Sequence, residues 1–359
     1  MAERVLVVKL GSTSVTAAHG GPDVALLASL SGQLALLRSR GTRVVIVSSG
    51  AVATGLSTLG VTSRPTDMAT LQAASAVGQH QVVRSWQDAL ATHGIHVGQV
   101  LLDPADLFSR RQYLLARRTF GALLELGVIP VVNENDAVAD EEIRFGDNDR
   151  LAALVAVLVG ADRLVLLTDT PGLFTADPAT SGAATLIDEV TEIDHQLEAA
   201  AGGSSSAVGT GGMASKLAAA RVATWSGIET VIADARDDGV VVRLEDGTGA
   251  TSTTFRARER PLPARKAWIA FATASRGRLV VDEGARRALR DGASLLLAGV
   301  LAAEGDFGVG DAVEVTAAGA LFAKGLARCA SSELARRVDG TPAPRDVVVV
   351  HHDDLVALD

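Results

Sequence analysis

Val44-Val45-Ile46-Val47-Ser48-Ser49-Gly50-Ala51 is the stretch on which the fold turns. Its first four residues are β-branched and apolar, with no polar alternation. A strand of that kind is buried on both faces, as in a sheet covered by helices. The run then breaks at Ser-Ser-Gly and continues into an alanine-rich, helix-like segment. Strand, glycine turn and helix make up the repeating unit of a parallel α/β sheet. Similar Val/Leu/Ile-rich runs occur at 97–102, 128–133, 163–168 and 228–233. Longer Ala/Leu/Arg stretches with helical spacing occupy 66–93, 109–126 and 149–160. The alternation predicts an open α/β domain with a largely parallel sheet. Ligands of such sheets gather beyond the carboxyl ends of the strands.

The texture changes further along. Residues 256–265, rich in Arg and Pro, have no apolar periodicity and read as a linker after a first domain of 1–255. Short strands and closely spaced glycines follow, including Gly277, Gly284, Gly292, Gly305 and Gly310. They predict a small, mostly β, barrel-like domain over 266–359. The 359 residues, 48% of them hydrophobic, are enough for two cores. A formal net charge of −9 argues against a general nucleic-acid binder. The single cysteine, Cys329, fits a reducing compartment. No apolar run is long enough to span a bilayer. A cytoplasmic, non-membrane protein is expected.

Four strand-like runs end in small or polar residues. Val7-Val8-Lys9-Leu10-Gly11 places an ammonium before a glycine turn, where the backbone can approach an anion closely; a surface lysine is the plainer alternative. Ser48-Ser49-Gly50 opens a helix, either as an ordinary N-cap or as an anion site. Asn133-Glu134-Asn135-Asp136 and Gly146-Asp147-Asn148-Asp149 supply amides and carboxylates beyond what turn chemistry needs. They suit the amino group of an amino acid, or cations around a phosphate. Leu167-Thr168-Asp169 ends the next strand, and Gly209-Thr210-Gly211-Gly212-Met213-Ala214-Ser215-Lys216 feeds a helix. That loop suits a polyphosphate, yet neither the Walker pattern nor the dinucleotide fingerprint is present. Only four of the 33 basic residues are lysine: Lys9, Lys216, Lys266 and Lys324. A retained lysine in an arginine-rich chain points to a need for a compact ammonium, or to chance.

In their order and spacing these segments resemble the amino acid kinase family, and within it the branch that phosphorylates the side-chain carboxylate of glutamate. The resemblance includes Gly172-Leu173-Phe174-Thr175-Ala176-Asp177-Pro178. The C-terminal part resembles a PUA domain through Leu279-Val280-Val281-Asp282-Glu283-Gly284-Ala285 and Gly292-Ala293-Ser294. The implied architecture is an αβα sandwich with a mostly parallel open sheet, plus a small PUA-like barrel.

The resemblance implies ATP and Mg²⁺ as reaction partners and L-glutamate as the acceptor. Lys9, Lys216 and Asp149 take the catalytic roles. Ser49, Gly50, Asn133, Asp136, Asp147 and Asn148 hold glutamate. Lys9, Gly11, Thr168, Asp169, Thr210, Gly211, Gly212, Met213, Ala214, Ser215 and Lys216 contact the nucleotide. No direct protein ligand for a metal is assigned. Also implied are proline as a feedback inhibitor, a homo-oligomer and functional coupling to glutamyl phosphate reductase. Another acceptor within the family, or an RNA-binding role for the PUA-like part, are the competing readings. His351-His352-Asp353-Asp354 is expected to be a polar tail, because neighbours on an extended strand point to opposite faces. Trp86, Trp225 and Trp268 are expected to pack in the interior.

Overall fold

The computed structural model describes residues 4–17, 20–103, 107, 109–138, 148–178, 181–193, 197, 212–273, 275–338 and 346–358. The chain divides into two compact units. One is Met1–Asp106 with Arg111–Pro261, and the other is Leu107–Arg110 with Leu262–Asp359. The division falls inside 256–265, the stretch read as a linker. The inclusion of Leu107–Arg110 in the second unit has no counterpart in the sequence reading.

In the first unit, β1 (Val5–Leu10), β2 (Arg43–Ser48), β3 (Val97–Leu102), β4 (Ile129–Glu134), β5 (Arg163–Thr168), β6 (Glu189–Val190), β7 (Glu229–Asp234) and β8 (Ser252–Phe255) form one sheet. Its order is β3-β4-β2-β1-β5-β7-β8-β6, parallel throughout except between β7 and β8. The five strands expected from apolar runs are all present, β4 and β7 each shifted by one residue. Every residue of β1 is buried, as a strand covered on both faces requires. From β1 the chain builds outward through β2 toward β4 and β3, then returns to the opposite side of β1 at β5. The order therefore reverses between β1 and β5, and a crevice at such a point is the favoured ligand site.

Helices α1 (Ser12–Val15), α2 (Val24–Ser39), α3 (Ala51–Thr58), α4 (Met68–Ala91), α5 (Arg110–Glu125), α6 (Asn148–Val159), α7 (Met213–Trp225) and α8 (Val240–Asp246) accompany this sheet. One core packs Leu6, Val8 and Leu10 of β1 with Val44 and Ile46 of β2 against Leu27, Leu30 and Leu34 of α2, Val82, Trp86 and Leu90 of α4, and Val240 of α8. Side chains alternate along a strand, so Lys9 points to the opposite face, where α6 lies.

Helix α4 turns a buried stripe inward through Leu71, Ala74, Ser75, Gly78, Gln79, Val82, Trp86 and Leu90. Its crossing with α3 is unusually close. A Cβ on Gly78 would lie 1.9 Å from the Ala51 carbonyl oxygen, and one on Gly55 would lie 1.7 Å from that of Ala74. Two glycines thus bring the middle of α4 against the turn that follows β2.

The second unit holds β9 (Ser275–Val281), β10 (Leu295–Leu296), β11 (Val300–Gly305), β12 (Ala312–Ala317), β13 (Ala320–Ala327) and β14 (Val348–Ala357). They form a sheet of order β10-β14-β13-β12-β9-β11, antiparallel except between β9 and β12. Leu279, Phe307, Val313, Phe322 and Val350 lie in its core. Helices α9 (Ala264–Ala267), α10 (Glu283–Arg290) and α11 (Ser331–Val338) complete it. The Lys324 ammonium is buried here and donates to the carbonyls of Ala270 and Thr273.

One local expectation fails in β14. Pairing with β13 runs from Ala327↔Val350 to Gly325↔Leu355, so extra residues bulge out of β14 between them. Strict alternation is lost there. The His351 and His352 rings lie with centroids 4.2 Å apart, tilted by 37°, and each has a ring nitrogen 3.3–3.4 Å from the Asp353 carboxylate. The three tryptophans do pack inside; Trp86 Nε1 donates to Ser48 Oγ and Trp268 Nε1 to the Leu107 carbonyl.

Candidate active site

The carboxyl edge of the parallel sheet collects the ends of β1, β2, β4 and β5. Lys9 precedes the last residue of β1, and its ammonium lies 2.6 Å from Asp149 Oδ1. Asp149 sits in the first turn of α6, on the face that β1 turns toward it. Lys216, in the first turns of α7, reaches Asp149 Oδ2 at 3.2 Å. Ser215 Oγ donates to the same oxygen at 2.7 Å. All three charges are shut away from water: Lys9 is 3% exposed, Asp149 1% and Lys216 4%. Burial alone pushes the Asp149 carboxyl up. The two ammonium groups, aided by hydrogen bonds from Lys9 and Ser215, outweigh it and hold the group below the usual carboxylate range. One carboxylate thus bridges two buried ammonium groups.

Beside it runs a chain of polar side chains. Asn148 Nδ2 donates to Ser49 Oγ at 2.7 Å and to Asn133 Oδ1 at 2.9 Å. Asn133 Nδ2 donates to Gln79 Oε1 at 2.7 Å. One turn earlier on α4, Ser75 Oγ donates to Asp136 Oδ2 at 2.7 Å. Burial pushes the Asp136 carboxyl up, and the Ser75 hydrogen bond and the Arg64 charge only partly oppose it. Gly50 has φ +100°, which favours glycine, and a Cβ there would press on Val15 at 3.1 Å.

Of the remaining expected residues, Gly11, Thr168, Asp169, Gly212, Met213 and Ala214 are described. A Cβ on Gly11 would lie 3.8 Å from the Lys9 ammonium, an ordinary contact, so space alone does not require glycine there. Its N–H, expected to be available to an anion, instead donates to the Leu167 carbonyl at 3.2 Å. Thr168 ends β5 and its hydroxyl donates to Asp169 Oδ1 at 3.1 Å. Gly212 is the N-cap of α7 and offers no side-chain cap, and the helix starts with a half-buried Met213 and an exposed Ala214. An uncapped helix start presents N–H groups and the positive end of the dipole to an anion. Asp147, Thr210 and Gly211 lie outside the described residues.

Sequence reading missed Ser75 and Gln79. The one available signal was a pair of polar residues at i, i+4 on the otherwise apolar stripe of α4. That pair is indistinguishable from satisfied core polars until the α3–α4 crossing is known.

Comparison with known proteins settles the family. Residues 4–234 match the amino acid kinase family, and residues 277–341 match the PUA domain. The chain belongs to the amino acid kinase family. Its similarity to other members extends past the kinase region. Glutamate 5-kinase of Syntrophotalea carbinolica is 46% identical, over 98% of this chain and 96% of that one. Glutamate 5-kinase of Azoarcus sp. is 48% identical, over 98% and 97%. Among solved structures, carbamate kinase from Giardia lamblia bound to AMP-PNP shares the amino acid kinase fold at 15% identity. It covers 71% of this chain and 99% of its own, with a TM-score of 0.51. No helix among the described residues is long and apolar enough to cross a membrane.

Proposed function

We propose that this chain transfers the γ-phosphoryl group of ATP to the γ-carboxylate of L-glutamate, giving γ-glutamyl phosphate and ADP. The observation that carries the reading is the buried Lys9–Asp149–Lys216 centre next to the Ser49–Asn148–Asn133 chain, in a protein similar to glutamate 5-kinases along nearly its whole length.

The acceptor carboxylate, which ordinarily titrates near about 4.3, is ionised at neutral pH, so no general base is required. Its oxygen forms a bond to the γ-phosphorus while the bond from that phosphorus to the bridging oxygen of ADP breaks. No proton moves. What the protein must supply is alignment of two anions and compensation of charge on the phosphoryl group in flight. Lys9 faces the transferred oxygens and Lys216 the leaving ADP. Asp149 holds the two ammonium groups at fixed positions although they repel each other. Ser49, Gly50, Asn133, Asp136 and Asn148 hold glutamate, Asp136 receiving its α-ammonium. Thr168, Asp169 and the start of α7 hold the nucleotide.

Asp149 does not suit a direct metal contact, since its oxygens already face Lys9, Lys216 and Ser215. A divalent cation is better placed on the ATP phosphates, where it neutralises charge. Every residue named in this scheme belongs to the first unit.

The test is ADP release from purified protein with ATP and Mg²⁺, offering L-glutamate, aspartate, N-acetylglutamate, carbamate and UMP in turn. Hydroxylamine traps the acyl phosphate. Turnover with glutamate alone supports the proposal; turnover with another acceptor and none with glutamate overturns it.

A further inference from the structure

The bulge of β14 is made of His351, His352, Asp353 and Asp354. Ala327 and Gly325, two residues apart on β13, pair with Val350 and Leu355, which are separated by these four. Bulges re-aim side chains, and this one is held by groups outside the cluster it presents. Ser294 Oγ accepts the His352 N–H at 2.9 Å. The Asp354 carboxylate is buried and takes Arg265 at 2.6 Å and Arg328 at 3.4 Å. The chain is thus tied on both sides of Asp353. His351, half-buried, and His352 and Asp353, exposed, each turn one nitrogen or oxygen into a common space, and these atoms lie within 4.8 Å of one another.

Contacts fix both imidazole rings. The Asp353 N–H donates to His351 Nδ1 at 3.3 Å, so that nitrogen carries a lone pair. The same nitrogen lies 3.4 Å from Asp353 Oδ2. A lone pair therefore faces an anion, an arrangement that a cation relieves. His352 has Ser294 Oγ at 3.3 Å from Nδ1 and Asp353 Oδ1 at 3.3 Å from Nε2. A flipped ring would set carbon atoms against both. The serine hydroxyl can accept a proton from Nδ1, which frees the Nε2 lone pair for a metal; imidazole ligands are ordinarily oriented through their second nitrogen in this way.

The spacing fits a small ion. Ligands at about 2.0–2.1 Å around a tetrahedral centre stand roughly 3.3–3.4 Å apart. The two nitrogen–oxygen separations here are 3.4 and 3.3 Å. Two imidazole nitrogens with one carboxylate oxygen suit a borderline ion such as Zn²⁺, whereas Mg²⁺ prefers an all-oxygen shell.

We propose that His351 Nδ1, His352 Nε2 and the Asp353 carboxylate bind one zinc-class divalent cation, with water completing its tetrahedron. The ion would clamp the bulge within the second unit. Asp353 is exposed, so its N–H can turn to water when the His351 lone pair goes to the metal. The proposal does not rest on the phosphorylation reading.

The measurement is calorimetric titration of the metal-stripped full chain with Zn²⁺, in the absence of nucleotide. One ion per chain should bind, with Kd of about 10 μM or tighter, and Mg²⁺ in large excess should not displace it. Saturating Zn²⁺ should also raise the melting temperature, because it binds the folded chain. His352→Ala and Asp353→Asn change exposed side chains, and each should weaken binding by about tenfold or more. Should His352→Ala not fold, His352→Gln makes the same comparison. Absence of saturable binding up to about 100 μM Zn²⁺, or an affinity unchanged in folded His352 and Asp353 variants, overturns the proposal.

Discussion

Lys9 and Lys216 meet on opposite oxygens of one carboxylate, that of Asp149, at 2.6 and 3.2 Å. One comes from the end of β1 and the other from the start of α7. Their convergence needs the central strand, the helix that covers it and a distant glycine-led helix all in place.

Asp149→Asn removes the charge that keeps the two ammonium groups together. Breaking a buried ion pair by deleting one partner costs about 3–5 kcal/mol. The variant should therefore melt well below the wild type and lose nearly all turnover. Thermal denaturation alongside the ADP-release assay checks both, and a fully stable, active Asp149→Asn protein would remove Asp149 from the centre.

Lys216→Arg keeps the charge and changes its shape. The planar guanidinium cannot reproduce a compact ammonium against both Asp149 and the leaving oxygens. The expected loss in kcat is about a hundredfold or more, comparable to removing a transition-state donor. Near-normal turnover would show that only the charge matters.

Asp149 and Asp136 should respond oppositely to pH. The folded pKa of Asp149 is depressed, so its contribution to stability is present above the unfolded value and is lost as pH falls through the folded pKa. That of Asp136 is raised, so its ionisation works against folding once pH exceeds the unfolded value. Asp136→Asn should raise the melting temperature of the ligand-free protein at neutral pH. It should also raise the glutamate KM by about tenfold or more, since a hydrogen bond to a charged group is lost. The same shift makes the wild-type glutamate KM climb, as pH falls, at a higher pH than an ordinary carboxylate would give. Denaturation and kinetics between acid and neutral pH read both effects, and a stable variant with unchanged KM would separate Asp136 from the substrate.

Gly78→Ala should be far more harmful than a helix propensity scale suggests. Alanine favours helices by about 0.8–1.0 kcal/mol over glycine, yet here the added Cβ would lie 1.9 Å from a backbone oxygen. The α3–α4 crossing must open, costing about 1–3 kcal/mol or more. Because α4 carries Ser75 and Gln79, the glutamate KM should rise together with the loss of stability. A more stable Gly78→Ala protein would contradict the close crossing.

Much of this was legible in the chain itself. Strands apolar on both faces announce a covered parallel sheet, and polar residues at their ends announce where the ligands go. The lysine pattern also carried information: three of the four lysines, Lys9, Lys216 and Lys324, are buried. Lys324 shows the limit of that argument, because its ammonium serves backbone carbonyls in the second unit.

The local chemistry of the sequence determined which segments become strands, where each one ends and which side chains stand at those ends. Periodicity and turn residues act over a few positions, and that range is enough for such choices. Tertiary structure alone decided that Asp149 faces both ammonium groups, that a glycine-lined helix crossing delivers Ser75 and Gln79 to Asp136 and Asn133, and that a bulge draws His351 and His352 together. These outcomes depend on strand order, helix approach and register. Such quantities are fixed by the packing of segments remote from one another in the chain, and no stretch of neighbouring residues encodes them.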